Sequence, residues 1–312
     1  MHRRSLLAGL AVGLPVFPLR AQGAVPVVAS FTILADMART IGGERVSVRQ
    51  IAGPDVDAHG FQPRPSDAVA IRDATAIIRN GLGFDPWFDR LANNARGRMI
   101  TATEGITPHA MEGHHHDHGD GAERRRAHTV PSGLTPDPHA WQDLRLGQSY
   151  VRTIAAGLAA ADPAGAATYA ANAEAYLARL AALDAWVRAQ IGTVPPERRR
   201  VVTSHDAFGY FGAAYGVEFL APQGISTEAQ PSAADVARLI RQIRAEHITA
   251  VFIESMTSPA LVNRLAAEAN VRVSGRLYVD ALSAPDGPAP SYEAMFRHNI
   301  GLLVPAMLGS VP

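Results

Sequence analysis

An α/β fold is predicted: two Rossmann-like lobes with mostly parallel sheets, joined by one long connecting helix. Three observations predict it. Short β-branched runs alternate with helical patterns through the first hundred residues. The same alternation returns after residue 200. Between them lies a helix-patterned stretch with no proline and, after Gly165, no glycine up to Ile191. Strand–helix–strand alternation implies parallel pairing, because the chain must cross over through a helix to return in the same direction.

The elements follow in order. Residues 25–31 are apolar and β-branched, the composition of a strand buried on both faces. Residues 33–41 carry apolar side chains at helical spacing and stop at Gly42 and Gly43. Residues 46–51 form the next strand. Ser66 and Asp67 can cap a helix running to Asp73. Residues 76–79 read as a strand ending at Asn80 and Gly81, 84–95 as a helix, and 99–103 as a fourth strand.

Residues 107–136 break the pattern. They contain His109, His114, His115, His116, His118 and His128 among Asp, Glu, Gly and Arg, with too few apolar side chains to bury a core. A mobile loop is predicted there.

A helix follows over 146–160. Asp162 and Pro163 then form an N-cap with proline at the first helical position. Over 164–191, Tyr169, Ala173, Tyr176, Leu180, Leu183, Val187 and Ile191 recur at steps of three and four. That pattern is one amphipathic helix of about 42 Å. Pro195 and Pro196 end it. Its length makes it the natural candidate for the connector between the halves, the alternative being a helix folded onto one lobe. After it, strands are predicted at 201–204, 217–220, 250–254 and 271–279, and helices at 233–246, 259–269 and 292–308. The organisation is therefore a signal peptide over 1–24, an N-terminal lobe over 25–162 that includes the loop, a connecting helix over 163–194, and a C-terminal lobe over 195–312.

Composition excludes several function classes. The 312-residue chain carries 29 Lys+Arg against 29 Asp+Glu, and every basic residue is arginine. A nucleic-acid binder needs a surplus of positive charge, so none is expected as a partner. A hydrophobic share of 47% against 19% charged excludes a disordered chain. Cysteine is absent, which removes disulfides, thiolate metal sites and an acylated N-terminal cysteine. Arg3 and Arg4, an apolar run over 6–17 broken by Pro15, and small residues around Ala21 and Ala24 have the layout of a cleaved secretory signal. The paired arginines fit either a twin-arginine signal or an ordinary charged start. The expected mature protein is exported and monomeric.

Four polar residues fall at strand ends or in the loops that follow: His59, His139, His205 and Asp280. Ligands of open parallel sheets bind at the carboxyl ends of the strands. Three imidazoles and one carboxylate suit a tetrahedral Zn2+, with nitrogens at about 2.0–2.1 Å and oxygen at about 2.0–2.2 Å. Imidazole-rich ligation favours zinc over manganese, which prefers oxygen. A lone histidine in a turn is usually a surface group, so the reading rests on all four falling at comparable places. A ligating histidine donates its other N–H to an acceptor that fixes its tautomer. Asp57, Asp206, Glu228 and Glu254 are the candidates, Glu228 first; it could equally cap the helix that follows.

Several stretches together carry a family resemblance. They are D-A-H-G-F-Q-P-R-P-S-D from Asp57, D-P-H-A-W from Asp137, T-S-H-D-A-F-G-Y-F from Thr203, G-I-S-T-E-A-Q-P-S from Gly224 and L-Y-V-D-A-L from Leu277. In this order the chain resembles the zinc/manganese-type solute-binding proteins of bacterial ABC importers. The resemblance implies a periplasmic protein that holds its metal between two α/β lobes and delivers it to a membrane permease. It implies His59, His139, His205 and Asp280 as ligands. Manganese-type members resemble a carboxylate at the third position and zinc-type members a histidine, so His205 implies Zn2+ as cargo, with Mn2+ the alternative. The acidic, histidine-rich loop also resembles zinc-type members. Its histidines read as a flexible low-affinity scavenger or sensor, or as composition without a role.

Two other classes fit less well. A zinc hydrolase would need an open coordination position and a general base; there is no H-E-x-x-H, and Asp280 would close the fourth position. Ser204, His205 and Asp206 cannot act as a triad, because consecutive residues at a strand end point to alternate faces. A surface adhesin would call for an anchor.

Overall fold

The structure is a computed structural model that describes residues 23–93, 95–112, 134–227 and 231–310. The predicted signal segment falls almost entirely on residues outside that set. Two four-stranded parallel sheets form the frame. The first contains β1 (Val25–Ala29), β2 (Val46–Gln50), β3 (Ala76–Arg79) and β4 (Arg98–Thr101), in the order β2-β1-β3-β4. The second contains β7 (Arg200–Val202), β8 (Glu218–Leu220), β9 (Ala250–Glu254) and β10 (Val273–Leu277), in the order β8-β7-β9-β10. Numbered within its own half, each sheet has the order 2-1-3-4. The two halves share a topology without sharing a sequence. Each has a switch point where consecutive crossovers leave in opposite directions, and that is where such folds open a crevice.

Helices cover both sheets: α1 (Thr32–Gly42), α2 (Pro65–Asp73), α3 (Pro86–Ala92) and α4 (Leu144–Ala161) in the first half, and α6 (Gly209–Tyr215), α7 (Ala233–Ala245), α8 (Ala260–Ala269) and α9 (Tyr292–Leu308) in the second. Between the halves runs α5 (Ala166–Gly192). The seven residues expected to form its apolar stripe are its buried residues. It does not bridge open solvent: it packs on α1 and α4 on one side and on α9 and α6 on the other. Among the described residues no helix is long and apolar enough to cross a membrane.

Several predicted boundaries shift. The 84–95 helix contracts to α3, and a 3-10 turn (Pro163–Gly165) precedes α5 where a regular first turn is predicted. Asp162 does not cap by its side chain; its carboxylate pairs with Arg45 at 2.6 Å. The strand over 271–279 is shorter, running Val273–Leu277 with a register slip between Val273 and Gly275. The 107–136 stretch is not one uninterrupted loop. Its ends pair as a short antiparallel ladder of β5 (Ala110–Glu112) and β6 (Leu134–Pro136). His114, His115, His116, His118 and His128 lie outside the described residues.

Two apolar cores result. The larger runs continuously from the first sheet through α4 and α5 to α9 and one face of the second sheet, and includes Trp87, Trp141, Tyr150, Tyr176, Phe211 and Tyr292. The smaller lies on the other face of the second sheet, where Val202 and Val251 meet Leu239, Ile243, Val262 and Leu265 of α7 and α8. Burying each such side chain contributes about 1.5–3 kcal/mol. At Gly147 of α4 the contact with Tyr292 is so close that a Cβ would stand 2.4 Å from its hydroxyl.

Candidate metal centre

His59 sits in the loop after β2. Its backbone N–H donates to Asp57 Oδ1 at 2.9 Å, an Asx turn that closes over two residues. Trp87 Nε1 donates to the carbonyl of Ala58 at 2.7 Å, and the Phe84 ring meets His59 edge-on at 4.6 Å. His139 is built the same way: its backbone N–H donates to Asp137 Oδ1 at 3.0 Å. Here the same oxygen also takes the ring Nδ1 at 2.7 Å. Asn80 holds the turn from below. Its amide donates to the carbonyl of Pro138 at 3.0 Å, and Tyr150 donates to its Oδ1 at 2.7 Å.

The other two residues stand at the ends of the second sheet. His205 follows β7, and Glu254 closes β9 beside it. Glu254 Oε1 accepts the backbone N–H groups of Ser204 at 2.9 Å and His205 at 3.1 Å, and Oε2 takes His205 Nδ1. With Nδ1 occupied in His139 and His205, their Nε2 atoms face inward, where the neutral ring would offer its lone pair to a metal. Asp280 follows β10.

The four side chains converge. His59 Nε2 and His139 Nε2 are 3.3 Å apart. Asp280 oxygens lie 3.3 Å from His59, 3.6 Å from His139 and 3.1 Å from His205. One donor atom from each residue lies within 4.8 Å of the others, a spacing that one ion can bridge. His59 is 6% exposed and the other three are fully buried. His205 Nε2 and both Asp280 oxygens have no hydrogen-bond partner among the described residues. The 3.1 Å approach of His205 to Asp280 is thus a charge contact without hydrogen-bond alignment. A buried carboxylate in that state carries a desolvation cost that a cation at the common focus offsets.

The electrostatics are uneven. Burial pushes the His59 imidazole below its ordinary value, against the pull of Asp280. Burial acts the same way on His205, but Glu254 and Asp280 outweigh it and hold that imidazole well above 6.5. Burial would raise Asp280; His139 and His205 overcome it and hold the carboxyl well below the usual carboxylate range.

The residues that support the ligands are only partly those expected from the sequence. Asp57 reaches the backbone of His59, not its ring, and Thr227 donates to its other oxygen at 2.5 Å. Glu254, one of the candidates, is the acceptor for the His205 ring. Asp206 is held elsewhere, its N–H donating to Gly224, and its carboxyl is raised by burial and then by Asp137. Glu228 lies outside the described residues. Asp137, which orients His139, was not among the candidates. The signal for it was present: Asp-x-His occurs at 57–59 and again at 137–139. His109 stands apart from the centre, exposed and stacked on Tyr210 at 4.0 Å.

Paired parallel α/β lobes meeting around a buried set of metal donors have the architecture of a solute-binding protein. The chain belongs to the family described as "Zinc-uptake complex component A periplasmic", which matches residues 27–306. It is similar to the manganese-binding lipoprotein MntA of Halalkalibacterium halodurans, 32% identical over 279 residues, or 89% of this chain and 87% of that protein. It is also similar to the iron-binding protein YfeA of Yersinia pestis, 33% identical over 276 residues, or 88% of this chain and 83% of the relative. Among solved structures, the periplasmic zinc binding protein TroA from Treponema pallidum superposes with a TM-score of 0.80 at 29% identity, covering 91% of this chain and 99% of that one.

Proposed function

We propose that this chain captures Zn2+ outside the cytoplasm, with His59, His139, His205 and Asp280 as ligands, and delivers it to the membrane permease of an ABC importer. The observation that carries the reading is the convergence of three imidazole nitrogens and one carboxylate within 4.8 Å, all buried. Three nitrogens and one oxygen match the tetrahedral preference of zinc. The two lobes, divided as the sequence suggests at residues 163–194, supply the walls of the site.

Manganese is the second reading. Two relatives are named for manganese and iron, and both Asp280 oxygens are free to bind together, which would raise the coordination number and the oxygen share. Metal analysis of protein purified from the periplasm separates the two. Zinc at one equivalent, lost in His205→Ala and kept when residues 109–128 are deleted, supports zinc capture at this site. One equivalent of manganese under the same conditions overturns the zinc assignment.

A further inference from the structure

Asp280 belongs to the second half of the sequence, yet its segment is fastened to the first. Up to Tyr278 the chain is tied to its own sheet and helix. Ser255 donates to the carbonyl of Leu277 at 2.9 Å, and Asn299 of α9 accepts from Tyr278 N–H at 3.0 Å and donates to its carbonyl at 2.6 Å. One residue later the partners change. The carbonyl of Val279 accepts from Trp141 Nε1 at 3.0 Å and Gln142 Nε2 at 3.2 Å. Leu282 N–H donates to Thr32 Oγ1 at 2.8 Å, and its carbonyl accepts from Asp55 at 3.3 Å. These anchors bracket Asp280, and Thr32, Trp141 and Gln142 are buried. The attachment continues past them: Asp36 of α1 accepts the Tyr292 N–H at 2.9 Å, and the Tyr292 hydroxyl donates to the carbonyl of Trp141.

His205 is tied differently. Its ring, its backbone and its neighbour Ser204 all bond to Glu254, and it bridges to Gln223. Bonds cross to the first half from elsewhere on that side: Tyr210 to Asp137, Tyr215 to Leu144, and Thr227 to Asp57. None of them involves His205 or Glu254. The strands carrying those two residues are also the strands that support the smaller core with α7 and α8.

We propose that Thr32, Trp141 and Gln142 are positioning residues that fix Asp280 to the amino-terminal lobe. When the lobes part, the ion then loses His205 alone and stays with His59, His139 and Asp280. The partition is three to one, where the order of the ligands along the chain would give two to two. The inference rests on the metal-capture reading above.

The chain contains no native cysteine, so spin labels can be placed one pair at a time. Arg90→Cys on α3, Arg241→Cys on α7 and Asp286→Cys just beyond Asp280 are exposed positions. Pairwise distances are measured by pulsed electron resonance in protein loaded with zinc chloride and again after chelation; zinc is d10 and silent in this measurement. The expected result is that the 90–241 and 241–286 distances shift together while 90–286 stays constant. Thr32→Val combined with Gln142→Leu should release 90–286 so that it also shifts, while Thr32→Ser alone keeps it constant. A 286 label that keeps its distance to 241 and moves away from 90 overturns the proposal, as does an absence of change in all three pairs. Zinc content is measured on the same samples. Labelled protein that takes up no zinc removes the capture reading and this inference with it. Zinc uptake with the wrong pair shifting removes the inference alone.

Discussion

His139 and His205 are oriented by the same chemistry obtained in two ways. Each gives its ring Nδ1 and its backbone N–H to a single carboxylate. For His139 that carboxylate is Asp137, two residues away. For His205 it is Glu254, on a different strand and 49 positions along the chain. The first arrangement is local: donor and acceptor stand two residues apart in one short turn. The second exists only once β7 and β9 pair. One half of the site is therefore preorganised by the chain, and the other by the sheet.

The largest effect expected is on the ligands themselves. His205→Ala should weaken zinc binding, measured by competition with a chelator, by more than the roughly 10–100-fold that loss of an orienting carboxylate causes. An intact affinity would remove His205 from the site and end the comparison. Glu254→Gln and Asp137→Asn come next, each within that roughly 10–100-fold range. Glu254→Gln should cost more, because it removes a charge that also bonds two backbone N–H groups of the strand end. Equal losses would show that local and distant preorganisation count alike.

Acidity sharpens the contrast further. In the metal-free chain Glu254 and Asp280 stabilise the His205 imidazolium; that contribution is complete below 6.5 and fades as pH rises through the raised His205 value. Zinc needs the neutral ring, so affinity should fall by about tenfold per pH unit below that value. Calorimetry at neutral pH, repeated in buffers of different ionisation enthalpy, should report about one proton released per zinc. No release would contradict the charge assignment.

The smallest effect is on stability, away from the metal. Burial raises Asp36 from 3.8 to about 6, with the Tyr292 N–H and Arg39 opposing. The folded chain therefore holds this proton to higher pH than the unfolded one, and loses stability as pH rises from 3.8 to about 6. Asp36→Asn should recover at most about 3 kcal/mol above that window and nothing below it. Denaturant melts at two pH values check this.

The same division between local and distant explains what could be read in advance. β1, β3, β9, α1, α7 and α9 announce themselves by composition and periodicity, and three of the four convergent residues lie after predicted strands, His139 standing instead ahead of the 146–160 helix. The 209–215 helix does not: it is two turns long and begins on Gly209, too short for a period to show. Asp137 was legible in the repeated Asp-x-His spacing. That Glu254 faces His205, and that Trp141 holds the segment of Asp280, depends on pairings between residues tens to more than a hundred positions apart, which no local pattern encodes.

With the donors almost wholly shielded from water, bond strength and exchange speed become separate quantities. An ion seated there waits for the whole protein to breathe before water can replace even one ligand. On the capture reading proposed above, its dwell time would follow the opening of the lobes, and a docking permease would speed unloading without altering a metal–ligand bond at rest.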